Sequence, residues 1–213
     1  MNQITVKGQK IEDRSFTIVD REAGPHEFTE DQWEVVRRVI HSTADFDFKD
    51  NMCFSDDAID AGVDAFSSAC PVIVDVKMIA AGLSEKKLSP AGSKVHHFIS
   101  DEDVIKKATE RNTTRAVEAM RKAHRLGLLN GAIVAIGNAP TALLEVIRLA
   151  KEESARPALI IGVPVGFVSA EESKEAVMET GVPYIVARGR KGGTPIAVAT
   201  AHALLTVMGR RKG

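Results

Sequence analysis

From about residue 70 onward the chain alternates short apolar runs with longer amphipathic windows, and this rhythm restricts the fold more than any other feature. The runs "PVIVDV", "KVHHFI", "AIVAIG", "ALIIGV" and "PYIVA" are separated by helical windows, notably at 102–126, 140–153, 169–180 and 194–208. Strand and helix in succession argue for parallel βαβ units. Runs such as "AIVAI" and "ALIIG" are apolar at successive positions, as expected for strands covered by helices on both faces. The expected architecture is a doubly wound α/β fold: a mostly parallel sheet of about five strands with helices on both faces, preceded by an N-terminal helical segment.

Before residue 70 the pattern differs. An extended segment is expected around 15–19, followed by two helical stretches. The first opens in "TEDQ", where Thr29 as N-cap and Gln32 at N3 make a capping box. With 213 residues, 44% of them hydrophobic, the chain can bury a full core, and one domain over 1–213 is expected. Residues 1–13 and the "GRRKG" tail at 209–213 read as peripheral or frayed.

Composition removes several function classes. A formal net charge of -1 gives no polyanion-binding surface, so no nucleic-acid partner is expected. Cys53 and Cys70 are too few for a disulfide framework and read as reduced thiols of a cytoplasmic protein. The N-terminus lacks the apolar core of a signal peptide, and no run reaches a membrane span's length, so neither export nor a membrane is expected.

In open α/β sheets ligands sit beyond the carboxyl ends of the strands. Three of those junctions are rich in Gly and Pro: "IGNAPTAL", "GVPVGFVSAEESK" and "ARGRKGGTPIAVA". Together they make a candidate anion-binding crest, because glycine allows close backbone approach and the helices that follow present N–H groups. Asn138 and Thr141 at one strand end, and Arg190, Lys191, Gly192, Gly193 and Thr194 at another, are the candidate contacts. No junction matches a phosphate-binding glycine motif. Lys174, close behind the second junction, reads as an ion pair with Glu171.

His41 lies near the end of the helix that opens at Thr29, off its apolar stripe and among Glu34, Arg37, Arg38 and Asp45. An imidazole changes charge near neutral pH, and Asp45 one turn on is placed to orient it, so His41 is the candidate proton donor. An ordinary surface histidine fits the same periodicity. His96 and His97 are adjacent on an expected strand and point to opposite faces, and no other histidine has a partner at metal-ligand spacing. No metal site and no serine-hydrolase elbow is expected.

Beyond these readings, "RSF" at 14–16, "VIH" at 39–41, "CPVIVDVKMIAAGL" at 70–83, "NTTRA" at 112–116, "AIGNAPTALLEV" at 135–146, "GVPVGFVSAEESKEA" at 162–176 and "GRKGGTPIAVATAHALL" at 189–205 resemble the precorrin-8X methylmutases of cobalamin biosynthesis. The resemblance runs in order from about Ser15 to Leu205. It implies an isomerase that moves a methyl group from C-11 to C-12 of a corrin precursor, giving hydrogenobyrinate or its cobalt counterpart cobyrinate. It further implies a homodimer, no added cofactor, and His41 as the acid facing the macrocycle. Ser15, Arg115 and Ser84 are carried over by the resemblance as substrate contacts, Arg115 against a carboxylate. The chain departs from the family's usual residues at His96, His97 and His202, and at Thr194, which keeps a hydroxyl in place of serine. "DVKM" with Lys77 is similar to the version acting on the cobalt-containing intermediate. Two other readings use the same crest: a nucleotide- or phosphosugar-binding α/β enzyme, and a corrinoid carrier without turnover.

Overall fold

The computed structural model describes residues 5–83 and 85–213. Six strands join in one sheet: β1 (Met52–Phe54), β2 (Val72–Val74), β3 (Val95–His96), β4 (Ile133–Ile136), β5 (Leu159–Gly162) and β6 (Tyr184–Ala187). Their spatial order is β1-β6-β5-β4-β2-β3. All neighbours are parallel except β1, which runs antiparallel to β6 with Met52 opposite Ala187. The mostly parallel, doubly wound reading holds with one strand added. The extra strand is the three-residue "MCF", too short to show a period in the sequence. "KVHHFI" contributes only two paired residues, Val95 and His96, as the edge strand beside β2, and His97 falls outside the strand.

Both faces of the sheet are covered, which is why its central strands are apolar at every position. On one face Val72, Val74, Ile133, Ala135, Leu159 and Ile161 pack under α4 (Ala58–Ser67), α5 (Lys77–Gly82) and α11 (Thr194–Lys212), with α2 (Glu30–Thr43) against α11 and α1 (Val6–Ala23) against α2. On the other, Ile73, Val134, Ile136, Ile160 and Val186 pack under α7 (Glu102–Glu110), α8 (Arg115–Arg125), α9 (Pro140–Glu152) and α10 (Ala170–Met178). Two short helices, α3 (Phe48–Asn51) and α6 (Glu85–Leu88), fill connections.

Three local expectations are corrected. Residues 15–19 are not extended but lie inside α1, which Thr5 caps by accepting from Gly8 N. The β-branched run there suggested a strand; packing of Val19 in the core and of Phe16 beside α2 overrides that preference. The window 102–126 is two helices, α7 and α8, broken where Asn112 takes a left-handed conformation and Thr114 caps the second helix by accepting from Val117 N. The tail does not fray: α11 continues to Lys212, and its Arg210 and Arg211 pair with Glu30, Asp31 and Asp60. The Thr29–Gln32 capping box forms as expected.

The tail pairs also orient α2. Because the end of α11 meets the start of α2, the two helices run antiparallel. The last turn of α2, with His41, therefore lies toward the start of α11, at the end of the sheet where the parallel strands finish.

Candidate active site

Parallel strands leave from β2 toward both sides, to β3 on one side and to β4, β5 and β6 on the other, so the chain direction switches between β2 and β4. A crevice at such a switch point is the usual ligand position. Here a side chain of the protein occupies it. Asp75, wholly buried just past β2, accepts from the backbone N–H groups of Gly137 (3.1 Å), Asn138 (2.9 Å) and Ala139 (2.7 Å). Burial pushes the Asp75 carboxyl above the usual carboxylate range, and the three N–H donors pull against that push. The amides at the start of α9 are therefore satisfied internally, which corrects the expectation that they are open to a ligand anion. Asp75 was missed in the sequence. The available signal was one charged residue closing the apolar run "VIVD".

The remaining loops are knitted to this one. A side chain at Gly137 would stand 3.0 Å from Thr194 Cα, so the β4 and β6 junctions touch through backbone. Gly193 N donates to Val163 O at 2.8 Å, and Gly166 N to Arg190 O at 3.2 Å. At Gly192 a Cβ would overlap Val163 O and lie 2.8 Å from Pro164 O, so only glycine permits this approach. The strand-end glycines thus join loop to loop.

Of the five candidates from 190 to 194, the structure separates two kinds. Lys191 is already paired within the protein: its Nζ is bound by Asp45 (2.5 Å) and Asp47 (2.6 Å). Gly192 and Gly193 serve backbone packing. Thr194 Oγ1 lies 3.0 Å from Met78 Sδ. Arg190 is exposed, with its guanidinium 5.5 Å from the Phe167 ring centroid. Beside it Phe167 and Val168 are 84% and 82% exposed, an apolar surface next to a cation. Asn138 is exposed, and Thr141 Oγ1 meets Thr114 Oγ1 at 3.1 Å, which brings the start of α8, with exposed Arg115, to the same rim.

His41 is exposed in the last turn of α2 and packs against Phe16 of α1, with ring centroids 5.0 Å apart. Asp45 does not orient it. The helix ends at Ala44 in a left-handed turn, which carries Asp45 out of helical register to Lys191. That pairing instead ties the end of α2 to the β6 junction, and it holds the Asp45 carboxyl below the usual carboxylate range. Phe16 also lies under Arg37 and Arg38, at 4.6 and 5.2 Å from its centroid. Ser15, half-buried beside Phe16, donates its hydroxyl to Ile11 O within α1. His41 and Ser15 therefore stand on neighbouring helices of one sheet face, while Arg115 reaches the rim from the other. Ser84 lies outside the described residues; its neighbours Leu83 and Glu85 line a cavity of about 580 Å³ that runs to Ser93 and His96.

Lys174 also departs from expectation. It is fully buried and makes no ion pair with Glu171; its Nζ donates to Gly189 O and Lys191 O. His202 is half-buried, its pKa lowered to about 4 by burial and by the charges of Lys87 and Arg38.

The sequence profile of precorrin-8X methylmutase matches residues 10–207. The chain belongs to that family. It is similar to a cobalt-precorrin-8 methylmutase of Leptospira interrogans, 52% identical with 99% of each chain covered. It is 43% identical to one of Methanocaldococcus jannaschii, with 96% of each chain covered. The fold matches a crystal structure of precorrin-8x methyl mutase from Thermus thermophilus with a TM-score of 0.91 and 46% identity, covering 96% of this chain and 98% of that one. A methylmutase is an isomerase, so the crest and His41 belong to an enzyme that rearranges its substrate.

Proposed function

We propose that this methylmutase moves a methyl group from C-11 to C-12 of precorrin-8X or cobalt-precorrin-8 by an acid-assisted 1,5 shift, yielding hydrogenobyrinate or cobyrinate. The family match across residues 10–207 carries this reading. The relatives 52%, 48% and 43% identical bear the cobalt-precorrin-8 name, which favours the metal-containing substrate. Any cobalt then arrives within the substrate, and the protein adds no cofactor of its own. A homodimer in the cytoplasm is part of the same reading.

The chemistry asks little of the protein. A methyl shift on a conjugated macrocycle needs no nucleophile, water or electron donor. A proton placed on the ring system redistributes its electrons so that the rearranged conjugation is favoured, and His41 supplies it. Exposure of the imidazole at the end of α2 leaves it open to a ligand. The macrocycle bears several carboxylates around an apolar plane. Arg190 and Arg115 suit the former, and Phe167 and Val168 the latter.

His41→Ala tests the assignment. The absorption spectrum changes as conjugation changes, so conversion is read directly. Conversion falls by roughly 10²–10⁴-fold while product still binds. Undiminished conversion rejects the role of His41, and lost product binding with normal turnover of the residual complex assigns it to binding instead.

A further inference from the structure

We infer that Lys174 is the positioning residue for the Arg190 carboxylate contact: through the carbonyls of Gly189 and Lys191 it sets the direction in which Arg190 leaves the crest. This rests on the reading of the crest as the receiver of a polycarboxylate macrocycle.

Lys174 stands on α10 with its side chain fully buried. Its Nζ lies 2.8 Å from Gly189 O and 2.7 Å from Lys191 O, and no carboxylate is within ion-pair distance among the described residues. Glu171 favours the charged form from beyond ion-pair distance, but a buried ammonium is costly to hold, and here two carbonyl dipoles stand in for water at its Nζ. Burial brings its pKa down to about 8.

The two bonds flank a third. Arg190 O, between them, accepts from Gly166 N. Three successive carbonyls are thus held toward the β5–α10 connection and α10. With the peptide planes on both sides of Arg190 fixed, its Cα–Cβ bond has one direction, and the side chain runs out over Phe167. Gly189, at φ 72, makes the turn that admits this path. Of Arg190 and Lys191, Arg190 has no carboxylate partner among the described residues, whereas Asp45 and Asp47 hold the Lys191 ammonium. Its planar fork gains from being aimed, since less freedom is lost when it meets a carboxylate in two places. His41 is held chiefly by the packing of α2 on α11 and α1, with the Asp45–Lys191 pair as a weaker tie to the β6 junction, so loss of the Lys174 anchor weakens substrate binding more than the chemical step.

The test is a double-mutant cycle in the full chain, with Lys174→Met, Arg190→Ala and the pair, reading KM and kcat for the tetrapyrrole. Lys174→Met is expected to raise KM about tenfold with kcat within about twofold, and to add little to KM once Arg190 is alanine. Lys174→Arg, which keeps N–H donors, recovers part of the loss. Amide exchange in the 188–193 segment, measured without substrate, rises in Lys174→Met. Additive KM effects, or a fall in kcat alone, overturn the proposal, as does unchanged exchange. If Lys174→Met does not fold, Lys174→Gln carries the same cycle. Failure of the wild-type chain to convert precursor rejects the proposed function, while the exchange measurement still judges the anchor.

Discussion

Replacing Asp75 by alanine removes a buried carboxylate that holds the loop after β4. Three backbone donors lose their acceptor: Gly137, Asn138 and Ala139, all within 3.1 Å of the carboxylate. A buried donor left unpaired costs about 1–3 kcal/mol, which sets a range of about 3–9 kcal/mol if none is compensated. Two effects reduce it. Asn138 is exposed, so water replaces the carboxylate at that N–H, and removal of a buried carboxyl relieves the desolvation that raises its pKa. The expected loss is about 3 kcal/mol, or roughly 6–12 °C in Tm for a chain of this size. Asp75→Asn is expected to fall between wild type and alanine, because its oxygen keeps some of the donors while its amide opposes another. Urea unfolding followed by Trp33 fluorescence measures the loss, and amide exchange at 137–139 locates it. An Asp75→Ala loss below about 1 kcal/mol, or unchanged protection of those three amides, refutes the account of Asp75 as the clamp of the switch point.

Gly192→Ala is expected to destabilise by about 1–3 kcal/mol and to raise KM, because the new methyl group meets the backbone of Val163 and Pro164, which cannot turn aside. A stability curve and a KM indistinguishable from wild type contradict the close approach. The Asp45 carboxyl is held below its usual range by Lys191 and by the N–H of Asp47, so its contribution is full above about pH 4 and fades as pH falls through the lowered folded value. Both partners are partly exposed, so solvent screening keeps the effect small. Urea midpoints of wild type and Asp45→Asn should converge as pH falls below about 4; a gap that stays constant through that fall shows that the pair contributes nothing.

Most of the sheet was legible in the chain because burial on both faces writes itself into consecutive apolar residues. "AIVAI" and "ALIIG" became β4 and β5 for that reason. The same logic fails at the margins. β1 is three residues long, and α1 carries β-branched residues that read as a strand until Phe16 and Val19 are seen packed. At the strand ends, Arg190, Arg115 and Asn138 are exposed at the rim. Lys191 and Lys174 were identified as charges without their partners.

The division has a physical cause. Periodicity, capping and glycine junctions depend on residues a few positions apart, so the order of strands and helices, the core and the position of the crest are written along the chain. Which charge answers which donor depends on loops that only folding brings together. Asp75 meets amides more than sixty positions away, and Lys191 meets Asp45 across 146 positions. Those long-range pairings decide which groups are consumed in building the crest and which are left to meet a ligand.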